Sequence, residues 1–202
     1  MLSSIESVSR MNHNAAAESL LKLEESSDGD TDPSERTLRI SVANEQSLVA
    51  INEARLTAAV EKVLVHSDYP SATISIAVVD DQTIHALNAE FLQHDYPTDV
   101  LSFVLEDSPG LLEGELIVSA ETAIRAATEV GWAAGDELLL YVIHGALHLV
   151  GYDDREVDQR AEMLSAELSI LKQLGIALPN DKSRWEEFPQ ETVSQLGEGS
   201  LS

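Results

Sequence analysis

The run from Asp136 to Val150 (DELLLYVIHGALHLV) limits the fold more than any other stretch. It reads as a helix that is apolar around nearly its whole circumference. Such a helix has no face to offer to water, so it must lie inside the molecule with other elements packed around it. Gly151 ends it. Two histidines, His144 and His148, are carried into the interior with it.

The other elements have to enclose this helix. Leu38, Ile40 and Val42 alternate with Arg39 and Ser41, which is strand spacing. Residues 47–66 carry Leu56, Val60, Val63 and Leu64 at helical spacing. Ala72 to Val79 is β-branched and apolar, as a buried strand should be. Asp80 and Asp81 suit the start of a short helix over Ile84 to Phe91. Val100 to Leu105 and Gly114 to Val118 predict two more strands. Ser119 to Val130 predicts a helix capped by Ser119 and ended by Gly131. Asp153 to Leu174 predicts a long amphipathic helix ended by Gly175. Several connections are too short for crossover helices. The expected class is therefore α/β (α+β), a mixed sheet packed by helices around the central His-bearing helix, in a single domain.

Composition sets the limits around that domain. Glu24 to Pro33 cannot bury enough apolar surface to offset its ordering entropy, so residues 1–37 are expected to be a disordered acidic extension, with helical tendency over part of 12–24. The domain is expected over 38–179. Residues 180–202 form a second acidic tail, in which Trp185 and Phe188 could dock on the core. The chain has no cysteine, so any metal must be held by His and carboxylate ligands. The first residues lack the pattern of a signal peptide, and no stretch of about 18 apolar residues exists to span a membrane. A cytoplasmic monomer is the expectation. The formal net charge is −24, divided as −5 for 1–37, −16 for 38–179 and −3 for 180–202. Nucleic-acid binders normally carry a basic footprint, so charge alone argues against a nucleic-acid substrate.

The histidines argue for metal chemistry. Residues i and i+4 stand one above the other on a helix face. The rings of His144 and His148 can meet at one point, and a chain reversing at Gly151 can return a third ligand from Asp153 or Asp154. Three protein ligands with an open fourth position make a catalytic zinc site, where bound water becomes a nucleophile near neutral pH. Asp153 to Glu156 has capping-box spacing, which would use Asp153 as the cap and free Asp154 for the metal. Exchanging a histidine for an aspartate makes the bound water less acidic and tilts the site slightly toward Mn or Mg. Gly145 stands where HExxH proteases carry their glutamate base, which argues against peptide hydrolysis.

His144 to Asp154 resembles the HGxLHLxGYDH pattern of the YbeY family of endoribonucleases, or rRNA maturation factors, and departs only at Asp154, where the family has a third histidine. Leu87-Asn88 and Asp95 to Phe103 are similar to the family's LN…TDVLSF segment, and Gly114 to Ser119 to its GDIxIS strand. Glu137, Met163 and Glu167 fall at family positions. The likeness covers residues 38–175. It implies one Zn2+ per chain held by His144, His148 and Asp154, and a single-strand-selective endoribonuclease acting in rRNA maturation, notably on small-subunit RNA, and in ribosome quality control. It sets Thr98, Asp99 and Ser102 beside the metal cleft as substrate-binding candidates, although Pro97-Thr98-Asp99 is also good turn chemistry. Glu115 and Glu137 are candidates to orient the histidines and equally candidates for solvated surface positions. Beyond the metal-bound water, His144 is the candidate catalytic residue. A second departure is Leu92, where the family usually has an arginine able to steady a phosphate. His94, if protonated, could substitute.

The expected function is therefore RNA cleavage in rRNA maturation. The ribosomal RNA would be met within a ribosomal particle whose basic proteins supply the positive surface this chain lacks. Two other readings stay open: a metallohydrolase with a small or peptide substrate, favoured by the acidic surface, and a non-catalytic ribosome-assembly factor, favoured by Leu92.

Overall fold

Among the described residues, four strands and five helices follow in the order β1 (Thr37–Asn44), α1 (Glu53–Val65), β2 (Ser71–Val79), α2 (Asp81–Leu92), β3 (Val100–Ser108), β4 (Leu111–Ser119), α3 (Ala120–Val130), α4 (Ala134–Leu149) and α5 (Val157–Gln173). The computed structural model describes residues 36–179. The expectations for residues 1–35 and 180–202, including the helical tendency over 12–24 and the docking of Trp185 and Phe188, lie outside the described residues.

The sheet has the order β1-β2-β4-β3. β1 pairs with β2 and β2 with β4 in parallel, whereas β3 runs antiparallel to β4. The sheet is thus mixed. α1 bridges the first parallel pair, and β3 and β4 close as a hairpin. That hairpin is longer than its sequence pattern suggests, because Glu106, Asp107 and Glu113 are paired strand residues. Gly110, at φ 85°, takes the left-handed backbone that the turn needs.

Strand alternation sends Ile74, Ile76, Val78, Leu112, Leu116 and Val118 to one face, where they form the main core with the helices. The opposite face carries a smaller cluster of Val79, Ile84, Leu101 and Ile117 beneath α2. α4 is central, as its composition demands. It packs on α1, α3, α5 and on strands β3 and β4. Leu138, Leu139, Val142, Ile143 and Leu147 are all buried along it. Each such side chain is worth about 1.5–3 kcal/mol when withdrawn from water.

Two glycines let α4 approach the sheet closely. A Cβ on Gly145 would lie 2.8 Å from Val100 and 2.9 Å from both Leu116 and the Ser102 hydroxyl. A Cβ on Gly114 of β4 would lie 2.9 Å from Leu149. The helix therefore rests on the strands at a distance that no larger residue at these two points permits.

Candidate metal centre

The site grows from the end of α4. His144 and His148 lie one turn apart, with ring centroids 4.6 Å from each other. The helix then closes with Gly151 N–H donating to His148 O and Tyr152 N–H to Leu147 O, both at 3.0 Å. Gly151 has φ 96°, which favours glycine, and this reversal presents the Tyr152 carbonyl to His148. His148 Nδ1 lies 2.9 Å from that oxygen.

A carbonyl oxygen only accepts, so His148 Nδ1 carries a proton, and in the neutral ring Nε2 is bare. The same logic holds for His144. Its Nδ1 lies 2.7 Å from a carboxylate oxygen of Glu167 on α5, so Nδ1–H donates and its Nε2 is bare too. The two bare Nε2 atoms face each other at 3.0 Å. Asp154 Oδ2 lies 3.7 Å from His144 Nε2 and 3.9 Å from His148 Nε2. With both rings neutral, two lone pairs and a carboxylate converge on one point, which suits a cation, either a shared proton or a metal ion. Tetrahedral bonds of about 2.0–2.1 Å would set donor atoms roughly 3.3 Å apart, and the observed triangle brackets that spacing. Among the described residues, His144, His148 and Asp154 are the group able to hold a metal ion.

His144 is sensitive to its surroundings. Burial disfavours its charged ring, but the Glu167 hydrogen bond and the negative charges of Glu167, Asp99 and Asp154 outweigh burial and raise its pKa. In the absence of a metal, this carboxylate cage favours a proton on the same ring.

The expected capping box at Asp153 to Glu156 is not the one that forms. Glu156 is the N-cap, with Gln159 completing the box, and α5 starts at Val157. The reason is geometric. Asp154 can face the histidines only if the chain stays irregular past it. Asp153 instead accepts the Asp154 N–H at 2.8 Å, and Arg160 holds the Asp154 and Arg155 carbonyls at 3.0 and 2.8 Å.

Glu167, whose sequence position matched the family pattern, is the carboxylate that orients His144. Its signal was a carboxylate inside the apolar stripe Met163, Leu164, Leu168 and Leu171 of α5, all buried. Glu137 is fully buried in α4, two turns before His144, and is not a surface residue. Glu115 lies in β4 opposite Phe103, on the face away from α4, and burial raises its pKa. Thr98 donates to Asp99 at 2.8 Å, and Asp99 is near enough for its charge to be felt at His144. Ser102 donates to the Gly145 carbonyl at 3.2 Å, bracing the helix between the two histidines. Leu92 ends α2, half exposed.

Comparisons with known proteins point to one family. The family profile described as "Endoribonuclease YbeY" matches residues 41–175. A protein of that name from Rhodopirellula baltica is 51% identical over 109 residues, which is 53% of this chain and 56% of the other. The Syntrophotalea carbinolica protein of that name is 37% identical over 63% of this chain and 89% of its own length. The Pelotomaculum thermopropionicum one is 36% identical over 68% and 97%. A solution structure from Thermotoga maritima is 26% identical, with a TM-score of 0.48 over 77% of this chain and 95% of that one. The matched segment contains the whole α4 site, and the chain belongs to the YbeY endoribonuclease family.

Proposed function

We propose that this protein is a metal-dependent endoribonuclease acting in rRNA processing, with zinc at His144, His148 and Asp154. The observation that carries the proposal is the pair of bare Nε2 atoms, 3.0 Å apart, beside the Asp154 carboxylate. When bound there, the ion would act as a Lewis acid on the scissile phosphodiester and lower the pKa of water.

The chain's own residues supply the rest. Glu167 and the Tyr152 carbonyl hold the two rings with Nε2 forward. His144 is the ring best placed to hold a proton at Nδ1, where Glu167 stabilises it. Thr98 and Asp99 form the proposed substrate side of the cleft, and Ser102 keeps the helix in register beneath it. Arg155, strongly exposed next to Asp154, offers a phosphate contact that the Leu92 position does not. A cytoplasmic location and work on ribosomal particles fit a chain of net charge −24 that needs basic partners to approach RNA. Among the described residues no helix is long and apolar enough to cross a membrane. The lack of a cation at Leu92 favours one second reading, an assembly factor that binds without cleaving.

The test uses purified full-length protein on single-stranded RNA, on ribosomal particles and on a peptide, with and without a chelator, alongside metal analysis. The expected result is chelator-sensitive RNA cleavage with no peptide cleavage. His144→Ala and His148→Ala should each hold metal well below one per chain and cut no RNA. Metal-independent cleavage would overturn the proposal. Metal binding with no cleavage of either RNA substrate would favour the assembly-factor reading.

A further inference from the structure

The loop joining α2 to β3 carries a surface that the metal chemistry does not use. Residues 91–96 (FLQHDY) are all exposed. Phe91, Leu92 and Tyr96 keep 54%, 49% and 55% of their surface in solvent. The rings of His94 and Tyr96 are stacked, with centroids 5.4 Å apart and planes 10° from parallel.

This pair is held from below. Gln93 adopts φ 61°, a costly backbone for a residue with a side chain, and swings the chain out of α2. His94 N–H then donates to the Asn88 carbonyl at 3.2 Å. The Asn88 side chain donates to the Tyr96 carbonyl at 2.8 Å. Asn88 is buried, so one interior residue ties down both members of the stack. His85 and Asp95 make a further tie at 2.8 Å.

The charge of the loop narrows what it can bind. Residues 91–99 include Asp95 and Asp99 but no lysine or arginine. A phosphate finds no cationic side chain here unless His94 is protonated. An unpaired base meets no such obstacle, because each base has a π-face and stacking on aromatic rings tolerates any sequence. The platform is also close to the chemistry. Tyr96 precedes Val100 by four residues, at most about 14 Å of extended chain, and Val100 packs against Gly145, which stands between the two histidines.

We infer that the His94–Tyr96 pair is a stacking platform for an unpaired base of the RNA strand, beside the metal centre. The inference rests on the RNA-cleaving reading above. It assigns the grip on substrate to stacking in a loop that holds no lysine or arginine.

The experiment uses full-length metal-loaded protein and a single-stranded oligonucleotide carrying 2-aminopurine, whose fluorescence is quenched on stacking. Quenching should occur on binding to the parent protein and to Tyr96→Phe, and should be absent with Tyr96→Ala. Tyr96→Ala should weaken binding by about 5- to 100-fold, the range for losing one stacked base. The same factor should hold at low and high salt, and it should appear in KM more than in kcat. His94→Ala should show a smaller loss of the same kind. Cleavage by the parent, with binding and quenching unchanged in Tyr96→Ala, would overturn the platform and leave the nuclease reading standing; a protein-docking role for the loop would give that result. Absence of both RNA binding and cleavage in the metal-loaded parent would overturn both.

Discussion

Gly145 and Gly135 lie on the same helix and should respond in opposite ways to the same substitution. Glycine in a helix interior is about 1 kcal/mol less favourable than alanine, so Gly→Ala stabilises where space allows. Gly135, in the first turn of α4, has nothing within 4 Å of an added Cβ. Gly145→Ala would set its methyl 2.8–2.9 Å from Val100, Leu116 and Ser102, against an ordinary contact of about 3.5–4.0 Å. Three neighbours must recede by more than half an ångström, and Leu116 is fully buried with nowhere to go. Overpacking of this kind costs about 1–3 kcal/mol. Subtracting the propensity gain leaves a net loss of up to about 2 kcal/mol, or up to roughly 8 °C in Tm for a fold of this size. Gly135→Ala should instead gain up to about 1 kcal/mol. Because Gly145 stands between the two histidines, its variant should also bind metal more weakly. Ser102→Ala in the same chain should recover part of the loss, since it removes one of the three clashing atoms. Calorimetry of the four proteins, with metal titration, reads all of this. If Gly145→Ala melts as high as Gly135→Ala and keeps parental metal affinity, the close-packing argument is wrong.

Three further outcomes follow from individual side chains. Glu167→Gln keeps an acceptor near His144 but removes the charge, and metal affinity should fall by about 10- to 100-fold in competition with a chelating indicator; unchanged affinity would mean that Glu167 only fills space. Asp81 works against burial, but hydrogen bonds from Ser119, Arg125 and Thr122 win and lower its pKa below 3.8. Its stabilising effect is therefore present above pH 3.8 and lost as pH falls through the lowered folded value. Asp81→Asn should cost about 1–3 kcal/mol in urea unfolding at pH 7 and progressively less toward pH 3; an equal cost at both would refute the charge argument. Glu115 has the opposite sign, since burial raises its pKa above 4.5. Its contribution is complete below that value and lost as pH rises through the folded pKa, so Glu115→Gln should raise the unfolding midpoint at pH 7 but not at pH 4.

The parts of this molecule legible in the sequence are those decided by local chemistry. α4 was recognisable because an all-apolar helix has only one place to go. Ser119 caps α3 and Gly131 ends it, as their side chains and backbone freedom require. The histidine pair followed from helical spacing alone. The β3–β4 hairpin is longer than the strands its sequence predicts because its outer half is solvated and loses the alternation that burial imposes. The start of α5 was misplaced because Asp153 and Glu156 are both able caps. What separates them is the need to aim Asp154 at histidines on another helix, which is a tertiary fact. The pairing of Glu167 with His144, across 23 residues, is of the same kind.

The three proposed metal donors lie within eleven consecutive residues, on the last turns of one helix and the loop that leaves it. Nothing in the main core depends on them. In a zinc finger the ion is the core, and removing it unfolds the domain. Here, exchange of the ion requires only that the short loop from Gly151 to Arg155 swing away, a local opening with a free energy far below that of global unfolding. The site should therefore equilibrate with its surroundings while the fold stays closed. Amide hydrogen exchange would register the difference as faster exchange at Tyr152 to Arg155 without metal, with the amides of Leu139 to Ile143 equally slow in both states.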